Sequence, residues 1–196
     1  MPVLFDGLPL LPSAVFAGDD GRLLVGRDAV HLARTSPDRF EPAPKRCIND
    51  GSVLLGDRDY PVVELVAAVL SRVLDEAQRA MNGPVRDAII THPAAWAGHR
   101  QEVLVAAATR AGLSDVTLMP EPVAAARFLT RVAGIGLGEH AVVVVYDFGG
   151  GTFDATAHRL SGGPAGRCGR TSGTPKKCCP VRRRRPYTCH CSSRTC

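Results

Sequence analysis

One stretch constrains this chain more than any other: Ala141 to Asp154, AVVVVYDFGGGTFD. Four successive valines predict a buried strand. β-branched side chains suit a pleated surface, and an unbroken apolar run suits one covered on both faces. The strand ends at Tyr146-Asp147, and Gly149, Gly150 and Gly151 strip the following turn of side chains. Such a turn has two readings. It is a plain glycine hairpin, or it is a concavity where successive backbone N–H groups meet a phosphate. The flanking residues favour the second. Asp147 at the strand's carboxyl end suits a hydrated Mg²⁺, which prefers one or two carboxylates plus water and phosphate oxygens. Thr152 adds a hydroxyl donor and Asp154 a second carboxylate.

The residues upstream predict alternating strands and helices. Val62, Val66, Val69, Val73 and Ala77 recur at three- and four-residue steps, the stripe of an amphipathic helix. Pro61 suits its first position, and Gly83-Pro84 supplies the stop. Val85 to Thr91 reads as a strand, Gly98 to Ala111 as a helix closed by Gly112, and Val116 to Met119 as another strand. Pro122 opens the next helix, with Glu121 beside its positive end, and the valine strand follows. Strand, helix, strand, helix, strand predicts an α/β fold with parallel pairing and right-handed crossovers. Ligands of such sheets sit beyond the strands' carboxyl ends, where Asp147 and the glycines lie.

DFGGGTFD resembles the second phosphate-binding loop of the heat shock 70 kDa chaperones, the DnaK-like branch of the actin and sugar-kinase ATPase superfamily. It is not a P-loop, because no G-x-x-x-x-G-K-[ST] occurs in the chain. Further matches lie upstream in the order that family requires. Residues 89–101, IITHPAAWAGHRQ, resemble its strand, its Pro-Ala segment and the Arg-Gln pair of the next helix. Residues 111–126, AGLSDVTLMPEPVAAA, resemble its helix end, strand and Glu-Pro-x-Ala-Ala-Ala signature. Pro44-Lys45-Arg46 resembles the pair that brings a lysine to the nucleotide's terminal phosphate.

The resemblance implies the first lobe of an actin-like, ribonuclease H-like ATPase domain, a mixed sheet with parallel βαβ crossovers, over residues 1–161. It implies ATP or ADP with Mg²⁺ as ligands. Asp147 holds the Mg²⁺ through water, Gly149, Gly150, Gly151, Thr152 and Asp154 form the phosphate site, Lys45 offsets charge at the terminal phosphate, and Glu121 orients the attacking water. Position alone says less. By position Glu121 reads first as a carboxylate complementing a helix N-terminus, and Lys45, in a proline-rich loop, as an ordinary solvated lysine; the resemblance is what brings in their catalytic readings. Pro93 reads as a strand terminator, which is compatible with a hinge. His92 and His99 lack a second metal ligand at useful spacing and read as structural or solvent-facing. Trp96 reads as core.

Composition divides the chain. Residues 163–196 contain nine of its 24 Lys and Arg and none of its 19 acids, so residues 1–162 carry −4 against +5 for the whole. Six of the seven cysteines also fall there, at positions 168, 178, 179, 189, 191 and 196, which leaves Cys47 alone in the body. A lone body cysteine fits a reduced, cytoplasmic protein. Residues 162–196 lack apolar periodicity and predict disorder. The tail has three readings: a basic nucleic-acid arm through Arg182–Arg185, a zinc cluster without any C-x-x-C, and an altered reading frame. The last is preferred, so nucleic acid is not an expected partner.

The chain opens at MPVLFDGLPLLPSAVFA, with no Asp-x-Gly-Thr-Thr phosphate loop, and the family's second lobe and peptide-binding domain have no counterpart. The expectation is therefore a fragment truncated at both ends. No apolar run approaches the ~18 residues of a membrane span, and the start lacks the basic opening of a signal peptide. Three functions follow. The first is an ATP-binding, ATP-hydrolysing chaperone-like protein of stress response and protein folding, whose unfolded clients and co-chaperones belong to the full-length family member. The second is a non-catalytic remnant with weak or no nucleotide binding. The third is another actin-like ATPase or sugar kinase, against which the Glu-Pro-x-Ala-Ala-Ala signature argues.

Overall fold

The computed structural model describes residues 2–131, 134, 142–148 and 153–159. The chain divides into two compact units, Met1–Met119 and Pro120–Cys196.

The first unit begins with short strands. β1 (Val15–Ala17) pairs antiparallel with β2 (Leu23–Val25) and with β3 (Phe40–Glu41), and α1 (Arg27–Leu32) and a 3-10 turn (Pro37–Arg39) fill the interval. A second 3-10 turn, Pro44–Cys47, carries Lys45. β4 (Ser52–Leu55) and β5 (Arg58–Pro61) form a tight antiparallel hairpin, Leu55 opposite Arg58. Gly56 takes φ 66° at the first turn position, the positive φ that hairpin turns matching strand twist require.

α2 (Val62–Met81) is the spine of this unit. Its 20 residues span about 30 Å at 1.5 Å per residue. Leu65 packs with Val15, Ala17, Leu55 and Tyr60 on the strand side. Val62 joins Ile48, Trp96, Val103 and Leu104, and Leu74 joins Ala108 and Leu113. The expected stripe is thus present but rotated, since Val73 is exposed and Leu65, Ala67 and Leu74 are buried in its place. Both predicted ends shift by one residue. Pro61 remains extended (φ −55°, ψ 134°) because it is the last residue of β5, so the helix begins at Val62. Asn82, not Gly83, takes the left-handed position (φ 50°, ψ 39°), and Gly83 N–H donates to Gln78 C=O at 3.2 Å. Asparagine tolerates that conformation, and the bond is the six-to-one closure of a Schellman motif.

β6 (Asp87–His92) and β7 (Asp115–Pro120) are hydrogen-bonded neighbours, and the chain between them runs through α3 (His99–Arg110). α3 packs along α2. Gly112 (φ 103°) closes α3 as expected, with Leu113 N–H donating to Ala108 C=O at 3.1 Å. Ala88, Ile90 and His92 of β6 face inward, while Ile89 is 63% exposed.

In the second unit α4 (Glu121–Arg131) packs against β8 (Val142–Phe148) and β9 (Phe153–Arg159). β8 and β9 are antiparallel along their whole length, from Val142 opposite Arg159 to Phe148 opposite Phe153. This corrects the expectation of a valine strand covered on both faces. Val142 and Val144 are 56% and 48% exposed, while Val143 and Val145 are half-buried. Alternation of that kind belongs to an antiparallel hairpin with one covered face. The parallel sheet read from strand–helix alternation therefore does not describe β8, whose described partner is the next strand in sequence. The predicted tail, residues 162–196, with its basic, zinc and altered-frame readings, lies outside the described residues.

Candidate functional site

Lys45 stands on the short turn between β3 and β4. Pro44, at the start of that turn, is fully buried and fixes φ, so the turn is anchored immediately before the lysine. Ala43 N–H donates to Glu41 Oε1 at 2.8 Å, which ties the approach to the turn back to β3. Downstream, Ile48 is buried in the cluster that holds Val62, Trp96, Val103 and Leu104. Lys45 is exposed, but buried Pro44 and Ile48 anchor the turn on either side of it.

The segment from β6 to α3 meets that turn. Trp96 is 9% exposed, as a core residue should be, yet its ring also lies under the Lys45 ammonium, with Nζ 5.5 Å from the ring centroid. Two bonds set its backbone: Trp96 N–H donates to Pro93 C=O at 3.0 Å, and Gln101 Nε2 donates to Trp96 C=O at 2.9 Å. Arg100 Nε donates to Asn49 Oδ1 at 3.0 Å, a direct link from α3 to the Lys45 side. The Arg-Gln pair singled out in the sequence thus connects two loops. Gly98 opens α3 at φ 54°, ψ −122°, a region that L side chains avoid. Sequence reasoning missed the contact between Lys45 and Trp96. The signal was present in a chain with one tryptophan, but nothing in spacing alone brings that residue beside Lys45.

His92 is structural, as read from the sequence. It is 3% exposed, and its Nδ1 lies 2.8 Å from Pro93 C=O. With the proton on Nδ1 donating there, Nε2 remains to accept from Gln101 at 3.5 Å. His99 is exposed. Cys47, half-buried behind Lys45, has its thiol pushed up from about 9 to about 11 by burial first and then by the carboxylates of Glu41 and Asp50. It is therefore a protonated packing residue at neutral pH rather than a nucleophile.

Glu121 is the first residue of α4 and half-buried, the place from which a carboxylate complements the helix's positive end. Asp147 lies in β8 and Asp154 in β9, and the register sets these two positions directly opposite each other. Gly149, Gly150, Gly151 and Thr152 form the connection between the strands and lie outside the described residues. The flanking strands form an antiparallel hairpin, while the glycine turn on which the two readings differ lies outside the described residues. Lys45 belongs to the first unit; Glu121, Asp147 and Asp154 belong to the second. Among the described residues no cluster of His, Cys, Asp and Glu forms a ready metal site. No helix there is long and apolar enough to cross a membrane.

A family model described as Hsp70 protein matches residues 47–166, which include the β6–α3 segment, the Glu121 helix and the β8–β9 hairpin and begin two residues after Lys45. Chaperone protein HscA homolog of Mannheimia succiniciproducens is 33% identical over 79% of this chain and 28% of its own length. Chaperone protein DnaK of Cenarchaeum symbiosum is 33% identical over 78% of this chain and 23% of its own length. The DnaK of Methanothermobacter thermautotrophicus is also 33% identical, over 78% of this chain and 25% of its own length. The chain therefore spans about a quarter of the length of these relatives. A match over more than half of the chain, and one residue in three shared over more than three quarters of it, show that this chain belongs to the Hsp70 family.

Proposed function

We propose that this chain is the ATP-binding lobe of an Hsp70-type chaperone, an actin-like ATPase element whose hairpin β8–β9 receives the phosphates. The observation that carries this reading is the register of that hairpin. Asp147 and Asp154 occupy opposed positions on either side of the Gly149–Thr152 connection. Two acidic positions facing each other weaken a ladder unless something offsets their charge. A divalent cation with its water shell offsets it, and Mg²⁺ takes carboxylates, water and phosphate oxygens together. Residues and ligand therefore fit.

The roles follow from residue chemistry. The Asp147 carboxylate accepts hydrogen bonds from the hydration shell of Mg²⁺ delivered with the nucleotide. The backbone N–H groups of Gly149, Gly150 and Gly151 and the Thr152 hydroxyl donate to phosphate oxygens. Lys45 supplies positive charge to the terminal phosphate, and the Glu121 carboxylate accepts a proton-side hydrogen bond from the attacking water. Phosphoryl transfer depends mainly on such positioning and electrostatics. We infer that in a full-length family member hydrolysis is coupled to the binding of unfolded clients with co-chaperones in the cytoplasm; the matched relatives are named as chaperone proteins.

Affinity of this chain alone is expected to be weak. Each charge-assisted bond to phosphate contributes about 1.5–3 kcal/mol. Two or three of them are largely cancelled by the ~4–15 kcal/mol cost of immobilising the ligand. Calorimetric titration of MgATP into the full chain should give a Kd no tighter than about a millimolar. Binding should require Mg²⁺ and weaken in Asp147→Asn and in Lys45→Met. Micromolar binding that ignores Asp147→Asn, or no binding at all, would overturn the assignment.

A further inference from the structure

We propose that Trp96 is a positioning residue for Lys45, holding its ammonium over the indole face in the orientation that meets the terminal phosphate; the phosphate part of this inference rests on the function proposed above. Lysine is a compact charge on four flexible carbons, so an unguided Lys45 would spread over many rotamers before any anion arrived. A tryptophan face attracts a cation through its quadrupole, more strongly than tyrosine or phenylalanine does. The separation of 5.5 Å lies inside the range of about 6 Å where that attraction acts. A ring face attracts an ammonium without cancelling its charge.

The ring is built to be a fixed platform. Ile48, Val62, Val103 and Leu104 pack around it, and its backbone is set by Pro93 and Gln101. Ile48 lies in the same buried cluster and only three residues past Lys45, so packing of the platform and placement of the turn are one event. The Arg100–Asn49 bond joins the two segments a second time. Platform and lysine both belong to the first unit.

The experiment uses the full chain as wild type, Trp96→Phe, Trp96→Leu and Lys45→Met, each first checked for a native circular dichroism spectrum. The Lys45 ε-methylene protons, read by NMR without ligand, should lie upfield in wild type and in Trp96→Phe. They should move downfield in Trp96→Leu. Because Trp96 is the sole tryptophan, its emission should also shift in Lys45→Met. MgATP affinity should fall about three- to tenfold in Trp96→Leu and recover most of that in Trp96→Phe. An unshifted Lys45 methylene in folded wild type, or equal MgATP affinity in wild type and Trp96→Leu, overturns the proposal. If wild type binds no MgATP while the methylene shift is present and Trp96-dependent, the pairing stands and the nucleotide reading falls.

Discussion

The loop that carries Lys45 and the hairpin that carries Asp147 are both turns beside strands, yet they are held by different physics. Lys45 is placed by residues far apart in sequence: Ile48, Val62, Trp96 and Leu104 share one buried cluster. Asp147 is placed by a local ladder, seven residue pairs between β8 and β9 with Asp154 opposite it. The first arrangement exists only when the first unit is packed. The second is set by register, and a one-residue slip would carry every side chain of β8 to the other face. A chemistry that needs both groups therefore draws on one long-range and one short-range device.

That contrast can be broken most forcefully at the spine. Leu65 is fully buried between the strands and α2, so Leu65→Ala should destabilise the first unit by about 2–5 kcal/mol. Val144→Ala, on the exposed side of β8, should cost about 0.5 kcal/mol or less. Denaturant titration followed by the emission of Trp96 measures the first, and hydrogen exchange of β8 amides the second. Equal costs would dissolve the distinction.

Cys47 tests whether the Lys45 turn is packed as tightly as its neighbours. With its thiol raised from about 9 to about 11, it holds about 100-fold less thiolate at pH 8 than an ordinary cysteine. Alkylation mapped to the Cys47 peptide should be about 10- to 100-fold slower than that of a free cysteine, because higher intrinsic nucleophilicity offsets part of the loss. The stabilisation from keeping this thiol protonated is present below pH 9 and is lost as pH rises from 9 towards 11. Labelling at the free-cysteine rate would mean an open turn.

Gly98 gives a smaller effect. A Cβ there would meet nothing within 4 Å, so the cost of Gly98→Ala is backbone strain at φ 54°, ψ −122°, about 1–3 kcal/mol by thermal melting. A neutral Gly98→Ala would show that the entry to α3 can relax without disturbing Trp96.

The smallest effect lies at the surface of α2. Arg72 donates to Glu76 at 2.7 Å, pairs with Asp6 at 3.2 Å, and lies over the ring of Phe5, so one guanidinium ties residues 5 and 6 to the helix. Hydrogen bonding from Arg72, and then the charge of Arg79, hold the Glu76 carboxyl below the ordinary carboxylate range. Its contribution is therefore present above the usual carboxylate range and is lost as pH falls through the depressed value. Wild type should exceed Arg72→Gln slightly in denaturation midpoint at pH 7, and the gap should close under strong acid. A gap independent of pH would assign the effect to packing on Phe5 instead.

Local signals were enough to read several elements. The periodicity of α2, the stop of α3 at Gly112 and the strands on either side of α3 all emerge from residue spacing, because each records a repeat of 3.6 or 2 or a glycine at positive φ. The DFGGGTFD motif, with Pro-Ala, Arg-Gln and Glu-Pro-x-Ala-Ala-Ala in order, was enough to point to the family that the comparisons establish. Of the candidate site, Glu121 was legible as the head of a helix and Asp147 as the end of a strand.

What needed the tertiary structure was everything set by neighbours distant in sequence. Whether Val73 or Leu74 is buried depends on where the strands and α3 lie against α2, which periodicity states only to within one residue. The exposed Val142 and Val144 depend on which face of β8 acquires a cover, and a run of four valines cannot encode one. The seat of Lys45 over Trp96 depends on two loops being drawn together by a shared core. Sequence determines such preferences residue by residue; only the packed chain decides which distant residues satisfy them, because burial belongs to a pair of surfaces and not to either alone.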